Sequence, residues 1–319
     1  MKLLPQVVIL TATGMLCAGT HYVDVQNGAG AASPYTNWAT AATIIQDAVN
    51  VAEAGALILV NTGVYAAGGA LTPGFALSNR VVATQAVTIA SVGGPAVTFI
   101  AGARDPASDL GLGSNAVRGV FLSGGAELHG FTISNGATFA IGAATGNAYL
   151  ERSGGGIYID NAAVSNCIVV HNAAGNYGGA IFISNWMSIC AVQASSNWAF
   201  GYGGGIAWQA SGTLCDSLIH GNVVSNNDGG GVCAAGPGLI SNCVISGNLC
   251  QKGGAGGVLT QFARVELVNC LIRGNACTLG RGGGMYLNAG GAVVNNCIFE
   301  GNAIFGGNYG GGAYVNSGR

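Results

Sequence analysis

Six asparagines recur at nearly equal steps through the second half of the chain: Asn172, Asn197, Asn222, Asn248, Asn275 and Asn302. The intervals are 25, 25, 26, 27 and 27 residues. A period of this length marks a solenoid, in which each repeat is too thin to bury a core alone and stacks on its neighbours. Each unit reads as a glycine run, an apolar alternation, a variable turn, and then Asn-Cys-apolar-apolar-x-Gly-Asn. The glycine runs include Gly154–Gly156, Gly203–Gly205, Gly229–Gly231, Gly282–Gly284 and Gly310–Gly312. The clearest second halves are Ser241–Asn248, Asn269–Asn275 and Asn296–Asn302.

Side chains alternate across a strand. After the glycine runs the first and third positions are apolar, as in Ile157/Ile159, Ile181/Ile183, Ile206/Trp208 and Met285/Leu287, and are read as inward. The position between them then faces out: Tyr158, Phe182, Ala207, Cys233, Leu259, Tyr286 and Tyr314. In the second strand the cysteine slot and the residue two later face in, as in Cys167/Val169, Cys243/Ile245, Cys270/Ile272 and Cys297/Phe299. Each unit is thus expected to supply two short strands. The recurring asparagine sits at a turn, where its amide can bond to the copies one coil above and below. The glycines suit corners of close backbone approach or positive φ. With 57 glycines in the chain, a Gly-x-Gly-x-x-Gly match carries no nucleotide expectation. Leu128–Gly136 reads as an earlier turn centred on Asn135, followed by about ten inserted residues between 137 and 153 that are expected as a surface loop. Val81–Ile89 and Val97–Ile100 read as still earlier strands.

Only 7% of residues are charged, the net charge is −2, and there is no basic stripe. Nucleic acid and anionic membranes are therefore not expected partners. Met1-Lys2, the apolar run Leu3–Leu16 and the small residues Cys17-Ala18-Gly19 read as a signal peptide over 1–19. Export, to the extracellular space or the outer cell surface, is the expectation; the competing reading is a buried N-terminal strand. The run is short for a membrane span, and Leu16 is bulky where a lipoprotein site at Cys17 favours a small residue. At the other end, Gly312–Arg319 opens a new coil and stops without the cap a solenoid edge needs. A further C-terminal region is expected there.

Cys167, Cys243, Cys270 and Cys297 share the inward slot and serve as small apolar fillers. Cys190 and Cys215 share another slot on adjacent coils, as do Cys250 and Cys277. A strand spacing of about 4.8 Å lies within the Cα separation a disulfide tolerates, and export would permit bridges. Stacked backbones seldom give the required torsion, so free thiols are expected. The spacings do not match zinc knuckles, and no metal or cofactor is expected.

Thr36–Thr40 leads into Ala41–Ala54, where Ile44, Ile45, Ala48, Val49 and Ala52 form one helical face and Gly55 suits the C-cap. Leu57–Val60 reads as a strand, Asn61-Thr62-Gly63 as a turn, and Val64-Tyr65 follows. Residues 20–65 are thus a helical cap with the first coil, and 66–319 the remaining coils. The stretch Trp38–Val49, then Val60-Asn61-Thr62-Gly63-Val64-Tyr65, resembles the opening of right-handed parallel β-helix proteins of the pectin-lyase-like superfamily. Ser91-Val92-Gly93-Gly94-Pro95, Gly130–Gly136 and the Asn-Cys-x-x-x-Gly-Asn coils continue the resemblance over nearly the whole chain. It is similar to large secreted, glycine-rich bacterial members. The resemblance implies a single right-handed parallel β-helix, all β apart from the capping helix. It leaves activity open, because the superfamily holds lyases, hydrolases, epimerases and adhesins.

Lyases of this fold use acidic Ca²⁺ ligands with a basic Arg or Lys, and its hydrolases use clustered aspartates. Both need carboxylates converging on one face. Two residues before the repeat asparagine stand Val170, Ser195, His220, Ser246, Arg273 and Glu300; six before it stand Asn166, Ala191, Asp216, Asn242, Asn269 and Asn296. His220, Arg273, Glu300 and Asp216 are therefore read either as a small polar site or as a solvated surface with one cross-coil ion pair. Asp228 stands alone in its slot, in Asn226-Asn227-Asp228-Gly229, which could touch a cation. His21, His129 and His171 are read as isolated turn or surface residues.

Two apolar rows are also expected outside. One is Ile168, Gln193, Leu218, Val244, Leu271 and Ile298, four residues before each asparagine. The other contains Tyr158, Phe182, Leu259, Tyr286 and Tyr314, of which the aromatic members are the candidate ligand contacts. Such rows suggest contact with sugar rings or another chain; the alternative is β-propensity filling a sheet. The expectation is a monomeric, non-catalytic rod presenting a repeat face to polysaccharide or a cell surface. The competing expectations are a polysaccharide lyase or hydrolase, with Glu151 and Arg152 of the 137–153 insertion among its groups, and a purely structural passenger.

Overall fold

The computed structural model describes residues 18–143, 147–262, 264–306 and 309–316. The expected signal peptide lies outside the described residues except for Ala18 and Gly19. Those two already belong to the fold: Ala18 packs against the core, and the Gly19 carbonyl accepts from the Leu57 N–H at 3.1 Å.

The chain winds into a right-handed parallel β-helix of about nine turns. Each regular turn visits four sheets, not the expected two strands. Sheet 1 has ten strands, from Thr20–Val23 to Ala292–Asn295. Sheet 2 has nine, from Gly63–Tyr65 to Ile298–Glu300. Sheet 3 has ten among the described residues, from Ala70–Leu71 to Ala313–Asn316; its first two strands pair antiparallel, and Val117 makes an isolated antiparallel bridge to Ala103. Sheet 4 is a narrow row of six two-residue strands, from Ala173–Ala174 to Ala303–Ile304. The overlooked strands belong to sheets 1 and 4. Those of sheet 1 hide in the variable turn because segments such as Gly212–Cys215 carry one strongly apolar inward residue, Leu214, among small or polar neighbours, and those of sheet 4 are only two residues long.

The inward residues Ile157, Ile159, Ile181, Ile183, Ile206 and Trp208 are buried as expected, and Cys167, Cys243 and Cys270 fill the same core. Successive windings lie in register. Asn172 Nδ2 donates to Asn197 Oδ1 at 3.0 Å, and the pattern repeats through Asn222, Asn248, Asn275 and Asn302 at 2.9–3.0 Å. Each ladder oxygen also accepts the backbone N–H of the asparagine one coil earlier. The first rung lies one residue later than expected. The Gly136 N–H donates to Asn172 Oδ1, whereas Asn135 occupies the preceding left-handed position at φ 55°.

The glycine runs belong to the same device. A Cβ on Gly231 would stand 2.8 Å from Asn248 Nδ2 and from the Gly257 carbonyl oxygen. A Cβ on Gly257 would stand 2.3 Å from the Gly284 oxygen and 3.0 Å from Asn275 Nδ2.

The capping helix is shorter than expected. Helix α1 spans Ile45–Val51 and buries Ile45, Gln46, Ala48 and Val49. Ala42 is extended instead, exchanging hydrogen bonds with Tyr22 and Asp24 of the first coil. The unexpected member is Gln46. Its amide donates to the Val82 carbonyl at 3.1 Å and accepts the Val82 N–H at 2.7 Å, closing part of the open edge of sheet 3.

The cysteine expectation is corrected at one pair. Cys190 and Cys215 form a disulfide between adjacent sheet 1 strands, with a Cα separation of 4.7 Å inside the tolerated range. Cys250 and Cys277 are buried free thiols.

Replacing Asn222 by Ala removes the acceptor of two Asn197 donors in a buried ladder. A loss of about 1–3 kcal/mol in urea unfolding is expected. Glu300→Ala, at an exposed side chain whose one ion pair spans 4.0 Å, should cost less than about 0.5 kcal/mol.

Candidate functional site

The outer face of sheet 2 carries two parallel columns. Register pairs Ser195 with His220, His220 with Ser246, Ser246 with Arg273, and Arg273 with Glu300. Beside this polar column runs the apolar row Ile168, Gln193, Leu218, Val244, Leu271 and Ile298, all at least partly exposed. The structure thus brings together three of the four residues expected as a polar site. His220, Ser246, Arg273 and Glu300 line one open depression of about 560 Å³. His220 Nδ1 lies 3.1 Å from Ser246 Oγ, and Arg273 Nη1 lies 4.0 Å from Glu300 Oε1. Both partners of that ion pair are more than half exposed, so it contributes little to stability. Among the described residues Glu300 is the only carboxylate lining the depression.

Asp216 belongs elsewhere. It sits at the corner between sheets 1 and 2, in the column of left-handed residues with Asn166, Ala191, Asn242, Asn269 and Asn296. A second, exposed ladder runs through that column. Asn296 donates to Asn269 at 2.7 Å, Asn269 to Asn242 at 3.2 Å, and Asn242 to Asp216 Oδ1 at 3.0 Å.

The expected aromatic contact row is also corrected. Tyr158, Phe182 and Tyr286 do point away from the main core, yet each is at most 3% exposed. Phe182 and Leu259 are fully covered. The loops that return from sheet 4 fold over sheet 3 and form a second core, in which Tyr177, Tyr202 and Leu150 cover these side chains. Tyr177 stacks on Tyr202 with ring centres 5.1 Å apart, and Phe182 lies 5.5 Å from Tyr177. Tyr314, in the last coil, is half-buried.

In its described residues the 137–153 insertion adds Leu150 to the same roof, while Ile141, Gly142 and Tyr149 remain exposed at the surface as expected. Helix α2 spans Ala148–Arg152 and carries the buried Glu151, whose carboxylate accepts the Ala76 N–H at 2.8 Å. Arg152 donates to the Ala143 carbonyl. Both groups clamp the insertion and present no free acid to a substrate. Beneath them lies Arg118, which sequence reasoning missed. Its guanidinium is fully buried, donates to Asn79 at 2.8 Å and to the Gly154 and Ser153 carbonyls at 3.0 Å, and lies over the Tyr158 ring. Burial pulls its pKa down to about 9.

Near the other end the roof has a notch. Four residues before successive sheet 3 strands stand Tyr177, Tyr202, Asp228, Gly254, Arg281 and Tyr309. Gly254 interrupts the column. A Cβ there would stand 2.4 Å from the Tyr286 ring and 2.8 Å from Asp228 Oδ1. The resulting cleft, about 440 Å³, is lined by Asp228, Lys252, Arg281, Tyr286 and Tyr309. The Gly254 N–H donates to Asp228, and Arg281 Nη1 donates to the Tyr286 hydroxyl at 2.5 Å. Burial raises the Asp228 carboxyl to about 6, with Arg281 opposing. Lys252, Arg281 and Tyr309 escaped sequence reasoning. Aligning the residue four positions before each sheet 3 strand exposes the contrast of aromatic, acid, gap and base. Of the other histidines, His21 is buried in the first strand and bonded to the Pro34 carbonyl at 2.7 Å, while His171 lies exposed at a left-handed turn. His129 meets Glu127 at 3.1 Å.

The family model described as "Right handed beta helix region" matches residues 196–319. No curated protein matches the chain in sequence. Similar solved structures include the pectin methylesterase PemA from Erwinia chrysanthemi, 12% identical over 79% of this chain and 78% of that one, with a TM-score of 0.43. A pectin methylesterase in complex with a hexasaccharide is 11% identical over 87% and 80%, at 0.37. The A-module of the Azotobacter vinelandii mannuronan C-5 epimerase AlgE6 is 14% identical over 86% and 93%, at 0.35. These values convey no activity, substrate or site to the present chain.

The notch gives a pH signature. The Asp228 pKa is raised on folding, so the folded chain binds its proton more tightly than the unfolded chain does. Stability should therefore fall as pH rises from about 4 to about 6 and then level. Thermal unfolding of Asp228→Asn across that window should lose this slope, while the wild type retains it.

Proposed function

We propose that this right-handed parallel β-helix is an exported, non-catalytic rod whose sheet 2 face makes contact with polysaccharide or a cell surface. The observation that carries this reading is the contrast between two faces. Sheet 3 is roofed by its own loops, whereas sheet 2 leaves its apolar row partly exposed beside hydroxyl, imidazole and charged groups. An apolar strip beside hydrogen-bonding groups suits a sugar polymer, whose rings offer C–H faces and a hydroxyl rim. In-register coils repeat the contact about every 4.8 Å, so a long polymer meets many equivalent weak sites and gains by multivalency.

A second reading has one observation in its favour. The sheet 2 depression holds an imidazole, a guanidinium and a carboxylate on neighbouring coils, which is the material of an acid–base site. The two readings part on a single set of measurements. The purified chain is tested for retention on a panel of immobilised polysaccharides and for release of unsaturated or reducing ends. On the binding reading, the triple variant Leu218→Ser, Val244→Ser, Leu271→Ser weakens retention by roughly tenfold or more, since each lost apolar contact is worth about 1 kcal/mol. Arg273→Ala and Glu300→Ala leave retention nearly unchanged, and no ends are released. Turnover that disappears in Arg273→Ala or Glu300→Ala would instead establish the enzyme.

A further inference from the structure

On sheet 1 the exposed corner column meets the disulfide. Cys190 and Cys215 are in register on adjacent strands, with Cα atoms 4.7 Å apart, and both are only partly buried. Asp216 follows Cys215 directly and turns left-handed at φ 50°. One coil earlier its column holds Ala191 instead of an amide, so the ladder from Asn296 through Asn269 and Asn242 ends at Asp216. Asn242 Nδ2 holds Asp216 Oδ1 at 3.0 Å, which leaves Oδ2 turned down to within 3.3 Å of Cys190 Sγ. The two sulfurs and a carboxylate oxygen all lie within 4.8 Å of one another.

We infer that the Cys190–Cys215 bridge is the oxidised form of a metal site, and that on reduction Cys190, Cys215 and Asp216 take a thiophilic divalent cation of the Zn²⁺ class. Two thiolates and one carboxylate supply three of the four positions of a tetrahedral ion, with water in the fourth. The rigid register prepays the cost of gathering these ligands. Asn242 acts as the orienting outer partner such sites need. The chemistry balances. A dithiol reductant gives two electrons and two protons to the S–S bond and is itself oxidised to a disulfide. The cation then displaces both thiol protons, so two protons leave for each ion bound. The site responds to redox state: oxidising surroundings keep the bridge, and reducing ones open the metal site.

The test uses the full chain, reduced with dithiothreitol, desalted without oxygen, and titrated with Zn²⁺ against a colorimetric chelator. Reduced wild type should bind one Zn²⁺ with release of two protons, and the oxidised chain should show no such site. Cys190→Ser with Cys215→Ser should abolish the site, and Asp216→Ala should weaken it by about tenfold or more. Circular dichroism checks that each variant keeps its β signal. If the serine pair misfolds, Asp216→Ala, which leaves both cysteines in place, still decides. The inference is overturned if the bridge resists dithiothreitol in the folded chain or if reduced wild type binds no ion. It is equally overturned if the serine pair keeps the wild-type stoichiometry, which would assign the metal to other thiols, or if Asp216→Ala binds as tightly as wild type.

Discussion

One contact sets the geometry of every coil: the asparagine amide against the glycine backbone. Asn248 Nδ2 donates to Asn275 Oδ1 and to the Ile219 carbonyl, while the backbone of Gly231 presses within reach of the same amide. A side chain on the glycine would displace the amide. Without the amide, backbone donors at the corner would be buried with no acceptor. Neither half of the repeat signature works alone. This also explains why the chain tolerates so many glycines despite their entropic cost. They let coils approach closely enough for the ladder to form, and the ladder returns several hydrogen bonds per turn.

A consequence of locked register is that faces differ by what covers them. The loops after sheet 4 are long enough to lie back over sheet 3, and tyrosines in the position before the glycine run fill the gap. Tyr177 and Tyr202 convert an outward row into a second core. The short corners around sheet 2, made by left-handed single residues such as Asn242 and Gly247, leave no chain to spare for a roof. Exposure on sheet 2 is therefore built into loop length and does not depend on the polarity of its side chains.

The period and the asparagine column were legible because stacking repeats a local rule at fixed intervals. The inward isoleucines were legible too, since alternation separates Ile157 and Ile159 from Tyr158. The fate of Tyr158 was not, because direction and burial are different properties. Alternation predicts the first, and only a non-local roof decides the second. The polar column on sheet 2 was visible by counting back from each asparagine, which placed Arg273 beside Glu300. The same counting put Asp216 in another column, and only the corner geometry shows that this column lies away from His220. Arg118, and the buried clamp that Glu151 makes, were invisible for a related reason. They act in the irregular early coils, where no repeat frame exists to align them.

What the frame does reveal is where a column breaks. Tyr177, Tyr202, Asp228, Gly254, Arg281 and Tyr309 occupy one column, and the gap at Gly254 makes room for a cleft. Ala191, Asp216 and Asn242 occupy another, and the missing amide at Ala191 frees a carboxylate oxygen to face a sulfur. In a solenoid the consensus residue at each position is explained by its copies above and below. A departure from consensus has lost that explanation and must be accounted for by its own chemistry. Charge is scarce in this chain, at 7% of residues, so a charged residue that replaces an amide or an aromatic inside a column stands out against a background that needs none.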